Sequence, residues 1–329
     1  MKKSELPFVS VVIPVRNEEK HIRESLMSII NQNYPKDRYE IVIADGMSED
    51  KTIDIIKEIR NKYKRPKIKI YENKKITTAA GFNLCVKKSC SEYIIRFMGH
   101  AIAKKNLLKE TIKKLIKEPE STIMVSCVNR VANKKGLGRL FGLAMGSFLG
   151  GLSSCYRTKK IYIYDYSGGF GAIRKRLLKK IGLIDEKIKC GDDAYFNLKS
   201  KMKNYNILIS PNTEVKIFKR NSVRKFIKQI FEFGEARMKL IKKFPKSFKI
   251  LYLLPPIFSL YVSSMPLAFI YKLNWYLWPF FLYMILDLIS SIEVSEEVTD
   301  IVPVMFFTFL LHISYGAGMI YGFFKKPEF

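Results

Sequence analysis

Acidic residues and histidine are scarce in this chain. Its 329 residues hold 58 lysines and arginines against 30 aspartates and glutamates, with three histidines, for a net charge of +28. Cysteine is also sparse: Cys85, Cys90, Cys127, Cys155 and Cys190 lie scattered, without CxxC or zinc-like spacing. That pattern excludes a cysteine-built metal framework and argues against a disulfide-stapled scaffold; it predicts buried free thiols in a reducing compartment. The opening MKKSELPF lacks an apolar core ahead of the first β-branched run, so no signal peptide is expected and the head is expected on the cytoplasmic side. Low-complexity linkers and internal repeats are missing as well. With 48% hydrophobic and 13% aromatic residues, a disordered chain is excluded.

What is present is unevenly distributed. Residues 246–329 hold five basic and six acidic side chains, so the first 245 residues carry +29. The tail contains three apolar stretches, Leu251–Ile270, Trp275–Ile292 and Ile301–Phe324, each near the roughly 20 residues that span a bilayer core. Tyr271, Trp275, Tyr276, Trp278, Tyr321 and Phe324 gather near their ends, where amphipathic rings favour the membrane interface. Two or three crossings are open. Pro255, Pro256 and Pro266 predict a broken first stretch, re-entrant or interfacial. Two true spans then follow, with Lys272 and the terminal lysines cytoplasmic and the acidic Glu293–Asp300 outside. The basic head does not read as a nucleic-acid binder. Its lysines are spread over many helices and no recognition motif appears, whereas an anionic membrane surface accounts for them.

The head alternates strand-like and helix-like segments. Phe8–Val15, Glu40–Ala44, Ile68–Tyr71, Tyr93–Phe97 and Ile123–Val128 are short apolar runs. Between them, Glu18–Asn31, Asp50–Tyr63, Thr78–Lys88 and Lys104–Lys117 show helical spacing. This order predicts an α/β domain, a parallel sheet with helices on both faces. Ligands bind such sheets beyond the carboxyl ends of the strands, which directs attention to Pro14–Glu19, Asp45–Gly46 and Met98–His100. Asp45, directly after a strand, suits a hydrogen bond to a base or ribose; Asp-Gly at that place is equally ordinary turn chemistry.

The run from Val9 to Glu19 (VSVVIPVRNEE), then Leu26–Gln32, then Ile41–Thr52 (IVIADGMSEDKT), resembles glycosyltransferase family 2. The resemblance implies an inverting enzyme of the GT-A fold, a Rossmann-like, mostly parallel sheet, here with C-terminal transmembrane helices, acting on a nucleotide-diphosphate sugar. Pro14, Val15, Arg16, Asn17, Glu18 and Asp45 match the positions that hold the nucleotide, and Asn83, in Thr78–Asn83, matches a donor-side asparagine. Family members carry Asp-x-Asp, or Asp-x-His in a membrane-attached subgroup, after the fourth strand. Here Met98-Gly99-His100 keeps the histidine and loses the first acid, removing a ribose contact. His100 is the implied ligand of a divalent metal, Mn or Mg, imidazole favouring the former.

Asp165–Arg174 (DYSGGFGAIR) resembles the acceptor-side loop, with Asp165, Gly168 and Gly169. Cys190–Leu198 (CGDDAYFNL) resembles the Glu-Asp motif, with Asp192 at the first position and Asp193 as the general base. An inverting displacement needs one carboxylate to take the acceptor hydroxyl's proton; capping of the following helix is the competing role for both aspartates. Ser222–Phe244 is a basic amphipathic helix expected on an anionic leaflet. In it Gln229 and Arg237 resemble an acceptor or diphosphate motif. Leu137–Leu152 reads as an interfacial or acceptor-binding element, and His312–Gly318 resembles the last membrane helix of the exopolysaccharide-type subgroup.

The resulting expectation is a multi-pass cell-membrane hexosyltransferase with a cytoplasmic catalytic domain. Residues 1–220 form the GT-A domain, 221–245 an interfacial helix and 246–329 a membrane domain. The acceptor implied is a polyprenyl-linked glycan, among membrane lipids. Two alternatives compete: a non-catalytic relative that lost chemistry with Met98, and a nucleotidyltransferase, which would need a Gly-rich basic loop where Pro14–Glu18 stands.

Overall fold

The computed structural model describes residues 6–151 and 161–326. The chain forms two compact units, Met1–Ala132 with Ser154–Phe218, and Asn133–Ser153 with Lys219–Phe329. The segment 133–153, which the sequence reading kept in the catalytic domain, clusters with the C-terminal residues.

The first unit is built on one sheet. Its leading strands are β1 (Val9–Val15), β2 (Tyr39–Asp45), β3 (Lys67–Glu72) and β4 (Tyr93–Arg96). Then come β5 (Ala101–Ala103), β6 (Thr122–Val131), β7 (Ile163–Tyr164), β8 (Gly171–Arg174) and β9 (Asn206–Ile217). Spatial order is β3-β2-β1-β4-β8-β6-β9-β5, with β7 paired to β9. β1 to β4 are mutually parallel, as their alternation with helices requires, and β9 runs parallel to β6. β8 enters from the opposite direction, antiparallel to both β4 and β6. The α/β class is as expected and the sheet is mixed.

Among the described residues, helices that flank the sheet include α1 (Ile22–Ile30), α2 (Thr52–Lys62), α3 (Thr78–Lys88), α4 (Leu107–Lys117) and, later, α6 (Lys175–Ile181). Each turns one apolar stripe inward, as with Ile22, Leu26, Ile29 and Ile30 of α1, all buried. A fully buried Ile or Leu contributes about 1.5–3 kcal/mol, and β1 and β2 supply them from both faces. α7 (Asp192–Met202) carries the aspartate pair in its first turn. Cys85 and Cys127 are buried, whereas Cys90 is exposed and Cys190 half-buried, so the buried-thiol expectation holds for two of these four. Cys155 lies outside the described residues.

The second unit contains α5 (Leu137–Gly146), α8 (Val223–Lys243), α9 (Leu254–Ile270), α10 (Trp278–Val294) and α11 (Ile301–Phe324). Phe141, Ala144, Phe226, Ile230, Val304, Phe307 and Leu311 form its core. Phe141 stacks on Phe226 at 4.3 Å and meets Phe307 edge-on at 4.6 Å. α5 is therefore a core helix of this unit, packed through its apolar face; Leu152 lies outside the described residues. Three helical stretches, Ile250–Ile270, Asn274–Val294 and Val298–Phe324, are long and apolar enough to cross a membrane. The first opens with a 3-10 turn, Ile250–Leu253, and from Leu254 continues as the α-helix α9 without a break, contrary to expectation. Pro255 and Pro256 sit in the first turn of α9, where a missing N–H costs nothing, and Pro266 is accommodated within it.

Candidate active site

β1, β2 and β4 run in parallel, so their carboxyl ends share one edge, with Val15 beside Asp45. β8 is antiparallel and pairs Gly171 with Arg96, so Gly168 and Gly169, just before it, come to the same edge. From β2 to β8 is three strand spacings, about 14 Å.

The nucleotide-side loop is tightly laced. Asn17, at φ 52°, donates its N–H to Ser48 Oγ (3.0 Å) and accepts from Glu49 N at 2.9 Å. Glu18 N donates to Thr52 Oγ1 (2.7 Å) and Glu19 N to Asp50 Oδ2 (3.1 Å). Burial opposes the Asp50 charge, yet the Thr52 hydroxyl and the N–H groups of Glu19 and Thr52 hold its carboxyl below its ordinary range. Pro14 packs where α3 approaches: a Cβ at Gly81 would lie 2.9 Å from Pro14 Cβ. Arg16 points toward Glu49, 4.0 Å away.

Asp45 is buried and accepts from Ser48 twice, Oγ to Oδ1 at 2.6 Å and N to Oδ2 at 3.1 Å. The turn role left open by the sequence is thus realised. A carboxylate has about four acceptor sites, so capacity remains for a ligand. Ser48, Asp50 and Thr52 were not singled out from sequence as site-builders; the signal available was their clustering directly after a strand-end acid.

His100 Nδ1 lies 2.6 Å from Glu18 Oε1. A carboxylate on one ring nitrogen favours a single tautomer and leaves Nε2 as the nitrogen open to a ligand, the arrangement common behind metal-bound histidines. The ring is 32% exposed, so a ligand can reach it. Among the described residues no group of three or more His, Cys, Asp or Glu gathers as a metal cage. Met98 turns inward against the core, its carbonyl accepting from Ser25 Oγ at 3.0 Å.

Asp193 Oδ1 accepts from Ala194 N (2.7 Å). A Cβ built at Gly169 would meet nothing nearer than Asp193 Oδ2, 3.9 Å away. The carboxylate thus borders the glycine loop at the strand-end edge. Gly168 has a stricter reason to lack a side chain, since a Cβ there would come within 2.7 Å of Ser126 Cβ. Its carbonyl accepts from Asn197 Nδ2 at 2.9 Å, tying the loop to α7.

Several expected site residues are placed elsewhere. Asn83, 1% exposed, gives its amide to Ile184 O (2.7 Å) and Glu186 Oε1 (3.3 Å) and accepts from Ile184 N (3.2 Å). Its hydrogen-bonding atoms are spent on the segment leading to α7, which Thr77 also holds by donating to Glu186 O (2.7 Å). Lys75 beside Glu186 keeps that carboxyl below its usual range. Asn83→Ala is expected to cost about 1–3 kcal/mol, read as a lowered Tm, with donor KM within about twofold of wild type. Asp165 donates its N–H to Ile207 O (3.0 Å), near the start of β9 and away from the carboxyl edge, because β7 pairs antiparallel with β9.

Asp192 is turned inward rather than toward a substrate. Arg96 Nη2 donates to its Oδ2 at 2.6 Å, with the two side chains 2% and 13% exposed. Burial pushes the Asp192 carboxyl up, Arg96 opposes this and neighbouring Asp193 adds to it. Arg96 also covers the Phe82 ring at 5.1 Å. Sequence reasoning did not identify this arginine; a lone Arg in an apolar strand was the available signal. Gln229 and Arg237 lie on α8 in the second unit, Arg237 over the Tyr252 ring at 5.0 Å.

Residues 10–182 match the sequence profile of glycosyl transferase family 2. The chain is also 31% identical over 326 residues, 96% of its length, to a Methanococcus voltae protein, of which 98% is covered. The chain belongs to glycosyl transferase family 2. That relative is named dolichyl N-acetyl-alpha-D-glucosaminyl phosphate 3-beta-D-2,3-diacetamido-2,3-dideoxy-beta-D-glucuronosyltransferase. The family 2 chain is also 39% identical over 77 residues to glycosyltransferase AglE of Haloferax volcanii, covering 23% of this chain and 25% of that protein. Its fold resembles the Pyrobaculum calidifontis mannosyltransferase PcManGT, solved with GDP-Man and Mn2+. The TM-score is 0.56 at 20% identity, over 75% of this chain and 66% of that one. This family 2 member is a transferase, an enzyme of the glycosyltransferase class.

Proposed function

We propose that this glycosyltransferase moves a sugar from a nucleotide-diphosphate donor to a lipid-linked saccharide acceptor at the cytoplasmic leaflet. The observation that carries the reading is the Asp193 carboxylate beside Gly169, on the sheet edge that also bears Asp45 and the Glu18–His100 pair. Pro14–Glu18 and Asp45 hold the nucleotide, and Gly168–Gly169 admit the acceptor. Asp193 takes the acceptor hydroxyl's proton as that oxygen bonds to the anomeric carbon. The bond from that carbon to the diphosphate breaks on the opposite face, and the nucleoside diphosphate leaves with the electron pair. Gln229 and Arg237 serve a lipid-linked phosphate, a guanidinium being suited to that charge.

A divalent ion held mainly by the donor's diphosphate needs few protein ligands, so His100 Nε2, backed by Glu18, fits the absence of a three-residue cage among the described residues. Such an ion, Mn or Mg, supplies Lewis-acid neutralisation of the leaving diphosphate. The Methanococcus relative's name, with its dolichyl-linked acceptor, supports the lipid-linked class.

Membranes containing the protein, offered a panel of radiolabelled nucleotide sugars, are expected to yield label in the organic-extracted lipid for one donor. Label recovered only in free sugar or protein for every donor would refute the lipid-linked acceptor.

A further inference from the structure

The glycines of the loop before β8 differ in why they are glycines. Gly171 has φ 137°, and a Cβ on it would strike the Val125 carbonyl. Gly168 is closed off by Ser126 in the same way. Gly169 is under neither constraint. Its φ is not positive, and among the described residues the atoms nearest its Cβ position are Asp193 Oδ2 at 3.9 Å and Asn129 Nδ2 at 4.0 Å. Both are ordinary van der Waals distances, so alanine would fit there and would stabilise the fold by restricting the unfolded chain. Nothing in the described residues requires glycine at 169, whereas a group from outside the chain entering at its Cβ position would.

The gap is held open. The loop is pinned on either side of Gly169, where Gly168 O accepts from Asn197 Nδ2 at 2.9 Å and Phe170 O from Ser126 Oγ at 2.7 Å. The Phe170 ring is buried and meets Phe97 edge-on at 5.9 Å. Gly169 is itself buried, so the gap is a recess in the first unit and not open surface.

Asn129 reaches this recess from β6, a strand that carries no residue expected at the site. β8 is antiparallel to both β4 and β6, so those two run the same way and their carboxyl ends share an edge. Gly171 pairs with Arg96 on one side and Ser126 on the other, which sets those two residues level. Asn129 is three residues past Ser126, about 10 Å further toward the edge that carries His100. Its side chain is 5% exposed, and an amide so buried needs polar company. The amide nitrogen has two N–H donors, so a bond to a ligand is compatible with a further contact inside the protein.

The two groups at the recess are complementary to one edge of a sugar. Asp193 Oδ2 is an acceptor, suited to a hydroxyl that is about to attack; Asn129 Nδ2 is a donor, suited to an oxygen lone pair. Both lie close to the same point, so they are at most about 8 Å apart. A hydroxyl bonded to the first and an oxygen on the adjacent ring carbon bonded to the second, each at about 2.8 Å, fill that span. A simple alcohol would satisfy Asp193 and leave Asn129 unmatched.

We infer that Asn129 is a specificity-determining residue for the acceptor. Its amide donates to an oxygen, hydroxyl or acyl carbonyl, on the ring carbon next to the one bearing the attacking hydroxyl. Gly169 is the opening through which that edge of the sugar enters. This assignment rests on the proposed role of Asp193 as base. It gives the acceptor's reacting end a chemical class, a sugar with two adjacent oxygen functions, and sets aside a lipid phosphate or a plain alcohol as the nucleophile.

The full chain in detergent is given the radiolabelled nucleotide sugar that labels lipid in membranes, with a dilution series of lipid extracted from those membranes as acceptor. Gly169→Ala is expected to keep its Tm and hold donor KM within about twofold of wild type, while kcat/KM for the extracted acceptor falls at least about tenfold. Asn129→Ala is expected to lower the acceptor kcat/KM by about 5- to 100-fold, with donor KM again within about twofold. A merely structural role would not produce that split, because a loosened site raises donor KM and lowers Tm in step. Asn129→Ser takes the place of Asn129→Ala should that protein fail to accumulate. An unchanged acceptor kcat/KM at position 129 overturns the inference, even with Gly169→Ala impaired, and so does a loss matched by donor affinity and Tm. Wild type that labels no lipid with any donor is a separate failure, which removes the lipid-linked acceptor and this inference with it.

Discussion

Asp193→Asn is expected to lower kcat by about 10²–10⁴ while donor KM changes little. The substitution is nearly isosteric, and the amide oxygen of Asn accepts from Ala194 N as Asp193 Oδ1 does now, so the start of α7 stays formed. What is lost is the ability to take a proton at the oxygen facing the Gly168–Gly169 loop. Initial rates at saturating acceptor, with donor-nucleotide affinity measured separately by calorimetry, separate these effects. A kcat within tenfold of wild type would remove Asp193 from the mechanism, whatever the stability of the variant.

The second large effect is expected at Arg96. Its guanidinium joins the end of β4, four residues before His100, to Asp192 in the turn that carries Asp193. Arg96→Met strands a buried carboxylate, and Asp192→Leu strands a buried arginine whose Nη1 already lacks a hydrogen-bond partner. Each single change is expected to cost about 3–5 kcal/mol. Replacing both partners by apolar residues of similar size is often neutral, so Arg96→Met with Asp192→Leu is expected to regain much of the lost Tm. Transfer is expected to stay at least about tenfold down in the double variant, because nothing then fixes the base-bearing turn against the strand end. Recovery of both Tm and kcat in the double variant would reduce the pair to a folding contact. The Asp193→Asn result distinguishes that outcome from a wrong base assignment.

The legible parts were those written in local periodicity. β1 to β4, with α2 to α4, fall within a few residues of the hydrophobic runs and helical stripes that announce them, and the strand-end position of Asp45 follows directly. β8 was not legible: Gly171–Arg174 is four residues long, and only pairing to β4 and β6 makes it a strand. β9 mixes lysine, asparagine and proline with its apolar residues and is held by β6 and β5. At the site, the family resemblance marked Asp192 and Asn83 as candidates, but their direction is a tertiary fact. Arg96 draws one inward, and Ile184 with Glu186 occupies the other. Met98 stands where the resemblance places an acid, and its half-buried packing on the core is what an apolar side chain dictates at that place. The prolines of α9 were overread as breakers, since two of them stand in the first turn.

The division of the chain has a practical corollary. The α5 helix precedes β7, β8 and β9 in sequence, yet its Phe141 is sandwiched by Phe226 and Phe307. A stop codon after Phe218 would delete both rings while still translating Leu137–Gly146, leaving a sticky apolar helix with nothing to cover it. Shedding of a soluble enzyme by one proteolytic nick is closed off for the same reason, because the anchor is threaded through the gene rather than appended to its end.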